Sequence, residues 1–355
     1  MKLLSDLNVF DAEYIPEVIH FRDRQISSLL ANLEPALRNS SPVNSMLVGP
    51  PSTGKTCVLL RVLEEFGSCF TAYIRCPLAV SAYRVMARVF EGVCGHQAPQ
   101  TGYPMVKLYD AVCERLIQDG KALIVALDEV PAIEARAINE LLDILLKVEE
   151  EYGVKVEVVA VSHESIRLNP AVQAVFQADV IHFPLYSRDE MHFILAERAR
   201  RGFGGKFEPE IVERVAEYAF RHSDLRLGLK LLRKAGIVAE RRNALRVELE
   251  DVENALSSTH AEFYFRNVSA LREKERKVLR EIYLAESTPT TGEVYDRLRG
   301  QMGYTTFFEI LEKLERLRFI DLVYARKGRG NTRLIHRKYN VGEMLKAIAR
   351  AERGK

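Results

Sequence analysis

The sequence predicts the α/β class, with a doubly wound parallel sheet that is followed by a helical domain and a small basic domain. Short, uniformly apolar runs alternate with helical patterns through the first 185 residues. Such alternation is typical of parallel strands that helices bury on both faces. After residue 186 the apolar runs stop, and helical patterns continue to about residue 258. The chain has 355 residues, enough for two or three domains.

Four apolar runs predict the strands of this sheet, because each is too short and too uniformly apolar to be an amphipathic helix. They cover residues 44–49, 70–76, 122–129 and 156–162. Helical patterns lie between them, at residues 55–66 and 132–153. The second pattern forms one apolar stripe at helical spacing. Its members are Ile138, Leu141, Leu142, Leu145 and Val148.

The helical domain follows residue 186. Ser187 and Glu190 have the spacing of a capping box, which predicts a helix that starts at about Arg188. Residues 257–267 are predicted to be a linker or the start of a third domain. The predicted domains are therefore residues 1–186, 187–258 and 259–355.

Charge is distributed unevenly along the chain. Residues 1–260 carry 30 Lys and Arg against 36 Asp and Glu, a net charge of −6, whereas residues 261–355 carry 21 against 13, a net charge of +8. An acidic body with a basic C-terminal domain indicates that the C-terminal domain meets a polyanion. The alternative explanation of the same composition is a helical domain that is stabilised by many salt bridges.

The composition favours a cytoplasmic protein without a membrane role, and DNA binding by the basic C-terminal domain would associate it with the nucleoid. No run of about 18 apolar residues occurs, and the N-terminal stretch turns polar too early for a secretory signal. The five cysteines are odd in number and form no C-x-x-C pair. This pattern favours reduced thiols over a disulfide or zinc framework.

The stretch GPPSTGKT, residues 49–56, matches the phosphate-binding pattern G-x-x-x-x-G-K-[ST]. A predicted strand precedes it and a predicted helix follows, as needed for the loop N–H groups and the helix N-terminus to bind phosphates together. In this pattern Lys55 reaches the β- and γ-phosphates and Thr56 coordinates Mg²⁺. We therefore predict ATP or GTP binding. The contacts are assigned to Gly49, Pro50, Pro51, Ser52, Thr53, Gly54, Lys55, Thr56 and Cys57.

A second chemical element is the apolar strand that ends in Asp128 and Glu129. An acid at that strand end can hold Mg²⁺, and a neighbouring glutamate can orient the attacking water. Many strands end in acids, so this feature gains its meaning from the phosphate loop upstream. We predict Asp128 as a metal ligand together with Thr56, and Glu129 as the catalytic base.

The order of loop, Asp-Glu strand, further strand and helical domain resembles an AAA+ ATPase. In particular, the chain resembles the archaeal replication initiators related to the largest origin-recognition subunit and the cell-division-cycle helicase loader. The stretch EYIPEVIHFRDRQISSLLANLEPAL resembles the family's adenine-side segment, and FQADVIHFPLYSRDEM resembles the start of its lid. SDLRLGLKLLRKAGIVAE resembles the helix of its second sensor, and TTGEVYDRL resembles part of its winged helix.

The resemblance implies an AAA+ sheet, a helical lid and a C-terminal winged helix, with ATP or ADP and Mg²⁺ as cofactors. It places Ile15 and Arg22 on the adenine side and Arg226 at the second sensor. The implied partners are double-stranded DNA of a replication origin, the replicative MCM helicase and paralogous initiators. The preference for adenine over guanine as the bound base is implied by the resemblance alone.

Two departures from the family pattern affect the predicted hydrolysis. His163 stands where the first sensor, an asparagine that positions water, is expected; a capped surface histidine is the alternative. Ala171 and Gln173 stand where the family's trans-acting arginine is expected. Because such an arginine accelerates hydrolysis about 10³- to 10⁵-fold, we predict at most a weak ATPase, with the nucleotide as a slow timer or a retained ligand.

Residues 270–340 have the pattern of a winged helix even without the resemblance. Three helical patterns precede two alternating strands around a glycine-rich tip. Core positions are predicted in the first helix at Leu271, Val278, Leu279 and Ile282, and in the third at Phe307, Ile310, Leu311, Leu314 and Leu317. The domain thus has both the shape and the charge to bind DNA, although winged helices also dock proteins.

Two groups of residues are predicted to contact DNA. Thr305 and Thr306 start the third helix, which can enter the major groove; the hairpin tip can reach phosphates or the minor groove. The basic residues of the tip are Arg326, Lys327, Arg329 and Arg333. Residues 77–110 correspond to a DNA-contacting insertion of the family, and an ordinary packed helix pair is the alternative there.

The sequence is compatible with three functions. The first is an origin-binding, ATP-gated initiator that helps to recruit or load the replicative helicase. The second is a paralogue that acts as a DNA-bound regulator of transcription or replication. The third is a clamp-loader-like or helicase-loading subunit whose winged helix docks a protein.

Overall fold

The computed structural model describes residues 4–78, 81–99, 103–163, 166, 168–317, 319–327 and 330–353. Within these, the side chains of residues 78, 148–150, 258–267, 324–327 and 330–332 are not described. The chain forms two compact units, Met1–Leu249 and Glu250–Lys355.

The first unit contains a five-stranded parallel sheet. Its strands are β1 (Ser45–Val48), β2 (Phe70–Arg75), β3 (Leu123–Asp128), β4 (Val156–Ser162) and β5 (Asp179–His182), in the order β2-β3-β4-β1-β5. The four predicted strands are confirmed. The fifth was not predicted, because only Ile181 of its four residues is buried and no apolar run marks it. As an edge strand it needs little apolar surface.

Nine α-helices surround or follow this sheet within the described part of the first unit. They are α1 (Asp23–Leu37), α2 (Lys55–Leu63), α3 (Ala82–Cys94), α4 (Met105–Asp119), α5 (Ala135–Tyr152), α6 (Pro170–Phe176), α7 (Arg188–Phe203), α8 (Glu210–Arg221) and α9 (Leu225–Arg241). The predicted capping box is confirmed: Ser187 and Glu190 each accept a hydrogen bond from the other's backbone, and α7 begins at Arg188.

Both faces of the sheet are buried, as a doubly wound fold requires. Alternate residues of β3 point to opposite sides: Leu123, Val125 and Leu127 join one apolar cluster, whereas Ile124 and Ala126 join the other. The first cluster also contains buried residues of α3, α4 and α5. The second contains residues of α1 and α2. The sheet is therefore fixed from both sides, which holds the ends of its strands in register.

The predicted stretch 77–110 contains a packed helix pair in its described part. The inward faces of α3 and α4 carry Val85, Met86, Val89, Leu108 and Val112, all buried in the first cluster. The basic residues Arg84, Arg88, His96 and Lys107 lie exposed. Arg88 is paired with Glu91 at 2.8 Å. Packing thus accounts for the apolar pattern, and the exposed basic groups are few.

The N-terminal segment before α1 packs against the lid helices α7 and α9. The N–H groups of Ser5 and Asp6 donate to the carbonyl of Gly202. A Cβ atom at Gly202 would lie 2.3 Å from the ring of Phe10, so only glycine fits there. Arg233 pairs with Asp11 at 2.6 Å. These contacts hold the lid to the segment that leads into the sheet.

The second unit has the helices and hairpin of a winged helix. Its elements are α10 (Leu249–Ser269, starting at the last residue of the first unit), α11 (Glu273–Leu284), α12 (Thr291–Leu298), α13 (Tyr304–Arg316), β6 (Ile320–Lys327), β7 (Gly330–Arg337) and α14 (Val341–Arg353). The stretch 257–267, predicted to be a linker or the start of a third domain, is part of α10 in the second unit. Strands β6 and β7 are antiparallel, and Leu334 also bridges to Thr290.

The core of the second unit contains all the predicted positions except one. Leu271, Val278, Leu279 and Ile282 are buried with Phe307, Ile310, Leu311 and Leu314. The prediction for Leu317 is wrong: it follows the end of α13 and is 49% exposed. The helical period no longer applies beyond the last turn, so the stripe does not extend to it. No helix among the described residues is long and apolar enough to cross a membrane.

Candidate functional site

The phosphate loop leaves the sheet at the carboxyl end of β1 and leads directly into α2. Ser52 and Gly54 both have positive φ, 66° and 90°, so the loop turns tightly twice before the helix. At Gly49 a Cβ atom would lie 2.2 Å from the carbonyl oxygen of Phe183, which leaves room for glycine alone. The loop backbone is thus shaped by its neighbours, and α2 begins with Lys55.

Lys55 is held by the loop it belongs to. Its Nζ donates to the carbonyl oxygens of Gly49 at 2.6 Å and Pro50 at 2.7 Å, and the residue is 9% exposed. Burial lowers the pKa of Lys55 to about 8; nearby Asp128 opposes this shift and Arg226 adds to it. A phosphate that accepted from the same ammonium group would restore the charged form.

Thr56 and Asp128 meet at the start of α2 and the end of β3. The hydroxyl of Thr56 donates to Oδ2 of Asp128 at 2.9 Å, and the N–H of Glu129 donates to Oδ1 at 3.0 Å. A hydroxyl and a carboxylate are the hard oxygen ligands that Mg²⁺ prefers, with phosphates and waters completing its shell. The donor set therefore fits Mg²⁺. No cluster of three or more His, Cys, Asp or Glu that could hold a metal occurs among the described residues.

Tyr73 is a member of this site that sequence reasoning missed. It lies in β2, next to β3, and its hydroxyl donates to Oδ2 of Asp128 at 2.9 Å. Burial, followed by the charge of Asp128, raises the pKa of Tyr73 above its usual value, so the hydroxyl keeps its proton. Nothing in the local sequence marks this residue, because the contact joins two side chains that are 55 positions apart and that meet only through the pairing of β2 with β3.

Glu129 and His163 both follow strands at the carboxyl edge of the sheet. Glu129 follows β3 in a left-handed conformation, with φ 58°, and its side chain is exposed. His163 follows β4, which pairs with both β3 and β1, and it is exposed as well. Ala171 and Gln173 are exposed on α6. The structure thus places the predicted base and first sensor on the edge where the phosphate loop lies.

Arg22 occupies a buried position between the loop and the chain that leads into the lid. It is 2% exposed, and its guanidinium donates to the carbonyl oxygens of Thr53, Phe21 and Pro184 at 2.7–2.8 Å. The guanidinium carbon lies 3.7 Å from the centroid of the Tyr186 ring. These contacts hold three backbone carbonyl groups and the Tyr186 ring in place, so Arg22 acts as a brace that stabilises the conformation of the phosphate loop.

Arg226 connects the lid to the loop through its backbone. Its N–H donates to the hydroxyl of Ser52 at 3.2 Å and to Asp224, the N-cap of α9. The side chain of Arg226 is 52% exposed, and its Nε lies 3.8 Å from the Asp224 carboxylate. The N-terminus of α9 therefore faces the phosphate loop. The two remaining predicted contacts, Ile15 before α1 and Cys57 in α2, are half-buried.

In the second unit the predicted DNA contacts are partly described. Thr305 is exposed and Thr306 half-buried in the first turn of α13, which has no side-chain cap. Arg333 is half-buried in β7. The side chains of Arg326 and Lys327 at the end of β6, and the whole of Arg329, lie outside the described residues.

The parallel sheet carries a phosphate loop after β1 and an acid at the end of β3, with β4 between these two strands, and a helical lid contacts the loop. This combination defines an AAA+ type of P-loop protein. The lid agrees with this class independently. The sequence profile of the Cdc6 AAA+ ATPase-type lid domain matches residues 192–257.

The chain is 39% identical to ORC1-type DNA replication protein 2 of Archaeoglobus fulgidus, over 98% of this chain and 93% of the relative. It is 33% identical to a protein of the same name from Methanosarcina mazei, over 98% and 97% of the two chains. The chain belongs to the family of ORC1-type DNA replication proteins, and its role therefore lies in DNA replication.

Solved structures agree with the fold of the whole chain. The structure of the Aeropyrum pernix ORC1 protein in complex with DNA is 27% identical and superposes with a TM-score of 0.76, covering 99% of this chain and 97% of that one. The structure of Cdc6p from Pyrobaculum aerophilum, 18% identical with a TM-score of 0.65, shares the fold over 99% of both chains. The predicted AAA+ sheet, lid and winged helix are thus confirmed as the fold class.

Proposed function

We propose that this chain is an origin-binding replication initiator that binds ATP tightly, hydrolyses it slowly and helps to recruit or load the replicative helicase. The observation that carries the proposal is a preformed phosphate loop in a member of the ORC1-type family. Lys55 already donates to carbonyl oxygens of that loop, and Thr56 already donates to Asp128 at the end of β3. The winged helix in the second unit supplies the DNA-binding element.

Tight nucleotide binding is supported by the preorganised loop. The turns of the loop are already formed, so little chain entropy has to be lost on binding. Lys55 would exchange its two contacts with loop carbonyls for contacts with phosphate oxygens. The N-terminus of α9 faces Ser52, and helix N-termini attract anions. The A. pernix ORC2 protein has been solved in ADPNP and ADP complexes. We extend nucleotide binding to this chain on the strength of its own loop.

Mg²⁺ would be held by Thr56 and Asp128, and it would neutralise charge on the bound phosphates. In this assignment Glu129 orients water from the end of β3, and His163 faces the same edge from β4. His163 stands at the first-sensor position in place of the asparagine that would hold the attacking water. With neutral Ala171 and Gln173 exposed on α6, self-assembly provides no arginine at these positions. Slow turnover follows from both features.

DNA binding is supported by the charge and shape of the second unit. The uncapped first turn of α13 presents free N–H groups, which suit phosphate contacts, and the domain carries a net charge of +8 over residues 261–355. The A. pernix relative was solved with DNA. The helicase and paralogous initiators are assigned as partners through the family resemblance.

The experiment that tests the proposal measures DNA binding by fluorescence anisotropy across a salt series. We compare the wild type with a variant in which Arg326, Lys327 and Arg329 are alanine, and with the control Lys346→Ala on α14. Each lost phosphate contact lowers the slope of log K against log salt by about 0.9, so the triple variant loses affinity and about 2 to 3 units of slope. An unchanged slope would assign the winged helix to protein docking.

A regulator that remains bound to DNA without turnover is the second candidate, and it is favoured by His163 at the first sensor. Crosslinking and sequencing of DNA bound in native cells separates the two functions. Binding concentrated at one or a few loci where replication starts supports the initiator. Binding spread over promoters supports the regulator, with the nucleotide as a lasting structural ligand.

A further inference from the structure

Asp128 is held by more hydrogen bonds than its assigned role as a metal ligand requires. Oδ2 accepts from the hydroxyls of both Thr56 and Tyr73 at 2.9 Å, and Oδ1 accepts from the N–H of Glu129 at 3.0 Å. A carboxylate has about four acceptor sites. Three are therefore used by the protein itself, and the orientation of the carboxylate is fixed before any metal arrives.

The two hydroxyls reach Asp128 from different elements. Thr56 comes from α2, which follows the phosphate loop, and Tyr73 comes from β2, on the far side of β3 from the loop strand. Thr56 can keep donating its proton to Asp128 while its oxygen turns to a metal. Tyr73 has no such second task, because a phenol that keeps its proton is a poor ligand for Mg²⁺. Its contribution is therefore to the position of Asp128.

We propose that Tyr73 is a positioning residue that sets the Mg²⁺ affinity of the nucleotide site through its hydrogen bond to Asp128. This inference rests on the proposed nucleotide and Mg²⁺ site. Tyr73 is half-buried at the second strand, and the parallel pairing of β2 with β3 fixes the ring beside the acid. Groups that orient metal ligands in this way typically change metal affinity 10- to 100-fold when they are removed.

The variant Tyr73→Phe tests this role because it removes the hydroxyl and keeps the ring. We measure the dissociation constant of ATP for the full chain by calorimetry, with excess Mg²⁺ and with EDTA. Tyr73→Phe is expected to bind ATP as the wild type does in EDTA, within about twofold, and to lose 10- to 100-fold of the tightening that Mg²⁺ gives. Titration of Mn²⁺, followed by its electron paramagnetic resonance signal, reports the metal affinity directly.

A matched control is available in the same unit. Tyr152 donates to Oδ1 of Asp110 at 2.8 Å, a bond of the same kind between α5 and α4. Tyr152→Phe should leave both ATP affinities unchanged. The melting temperatures of the two phenylalanine variants show whether any loss at Tyr73 comes from unfolding.

A double variant identifies the route of the effect. In an Asp128→Asn background, Tyr73→Phe should change the Mg²⁺ dependence no further, because its partner has already lost the charge. Equal losses with and without Mg²⁺, or an unchanged Mg²⁺ dependence in the single variant, would overturn the positioning role. A wild-type chain that fails to bind ATP under either condition would instead overturn the proposed nucleotide site.

Discussion

Asp128 and Glu157 are carboxyl groups in adjacent strands of one sheet, at opposite ends of it, and their environments differ sharply. Asp128 ends β3, is 2% exposed and accepts three hydrogen bonds. Glu157 is the second residue of β4 and has no exposed surface. Neither of its carboxyl oxygens has a hydrogen-bond partner in the part of the chain that the structure describes.

The difference shows why the site lies at the carboxyl end. There, Thr56 at the start of α2, Tyr73 in β2 and the N–H of Glu129 all donate to the Asp128 carboxylate, so its hydrogen bonds fix its orientation. At the amino end Glu157 faces the apolar cluster that contains Leu29, Leu33 and Val159. Burial raises the pKa of Glu157 to about 8. Asp128 is therefore oriented to bind a cation, whereas the burial of Glu157 lowers the stability of the fold when this carboxyl group is ionised.

The largest effect is expected at the carboxyl end, for Lys55→Ala. Two charge-assisted hydrogen bonds to phosphate are lost, each worth about 1.5–3 kcal/mol, so ATP affinity should fall on the order of 10³-fold in calorimetry. Lys147→Ala, which removes an exposed lysine paired with Asp143 on α5, is the control. Undiminished ATP binding by Lys55→Ala would refute the site assignment.

At the amino end, Glu157→Gln should change how stability depends on pH. A carboxyl group whose pKa is about 8 when folded and 4.5 when unfolded binds more protons in the folded chain between these values. The unfolding free energy of the wild type should therefore fall as pH rises from about 5 to 8, by up to about 1.4 kcal/mol per unit from this group.

Urea unfolding at pH 5, 6.5 and 8 measures this dependence. Glu157→Gln should lack this component of the slope and gain stability relative to the wild type as pH rises, by roughly 3 kcal/mol at pH 8. The exposed Glu140→Gln on α5 serves as the control and should follow the wild type. Parallel curves for wild type and Glu157→Gln would show that Glu157 is already stabilised as an anion.

Arg22→Lys should have an intermediate effect on the loop. Lysine cannot donate in three directions to the carbonyls of Thr53, Phe21 and Pro184 or stack on Tyr186 in the same way. We expect a loss of about 2 kcal/mol in unfolding free energy and about tenfold weaker ATP binding, because the loop is no longer braced. Arg24→Lys, an exposed position two residues later, should leave both quantities unchanged.

The smallest effect is expected for His163→Asn, which restores an amide at the end of β4. Single-turnover hydrolysis should speed up by less than about tenfold, since no arginine stands at Ala171 or Gln173 to stabilise the transition state. A slower variant would mean that His163 takes part in hydrolysis as it is.

Much of the fold and part of the site could be predicted from local sequence. The four apolar runs, the capping box at Ser187 and the stripe through Phe307 and Leu314 each depend on neighbours within a few residues. The phosphate loop is equally local, because its glycines and Lys55 are needed at fixed spacing along the backbone. The prediction missed the edge strand β5, which no apolar run marks, and it was wrong for Leu317, which lies beyond the end of α13.

What only the tertiary structure decided is which side chains meet across elements. The sequence singled out Asp128 because it ends an apolar strand, but it did not show that Glu157, inside the next strand of the sheet, has no hydrogen-bond partner among the described residues. Strand pairing brought Tyr73 to Asp128, and the path of the N-terminal segment turned Arg22 into a brace for the loop. Burial and hydrogen bonding depend on contacts between residues far apart in the chain, so the raised pKa of Glu157 and the hydrogen bonds that orient Asp128 were set by the fold.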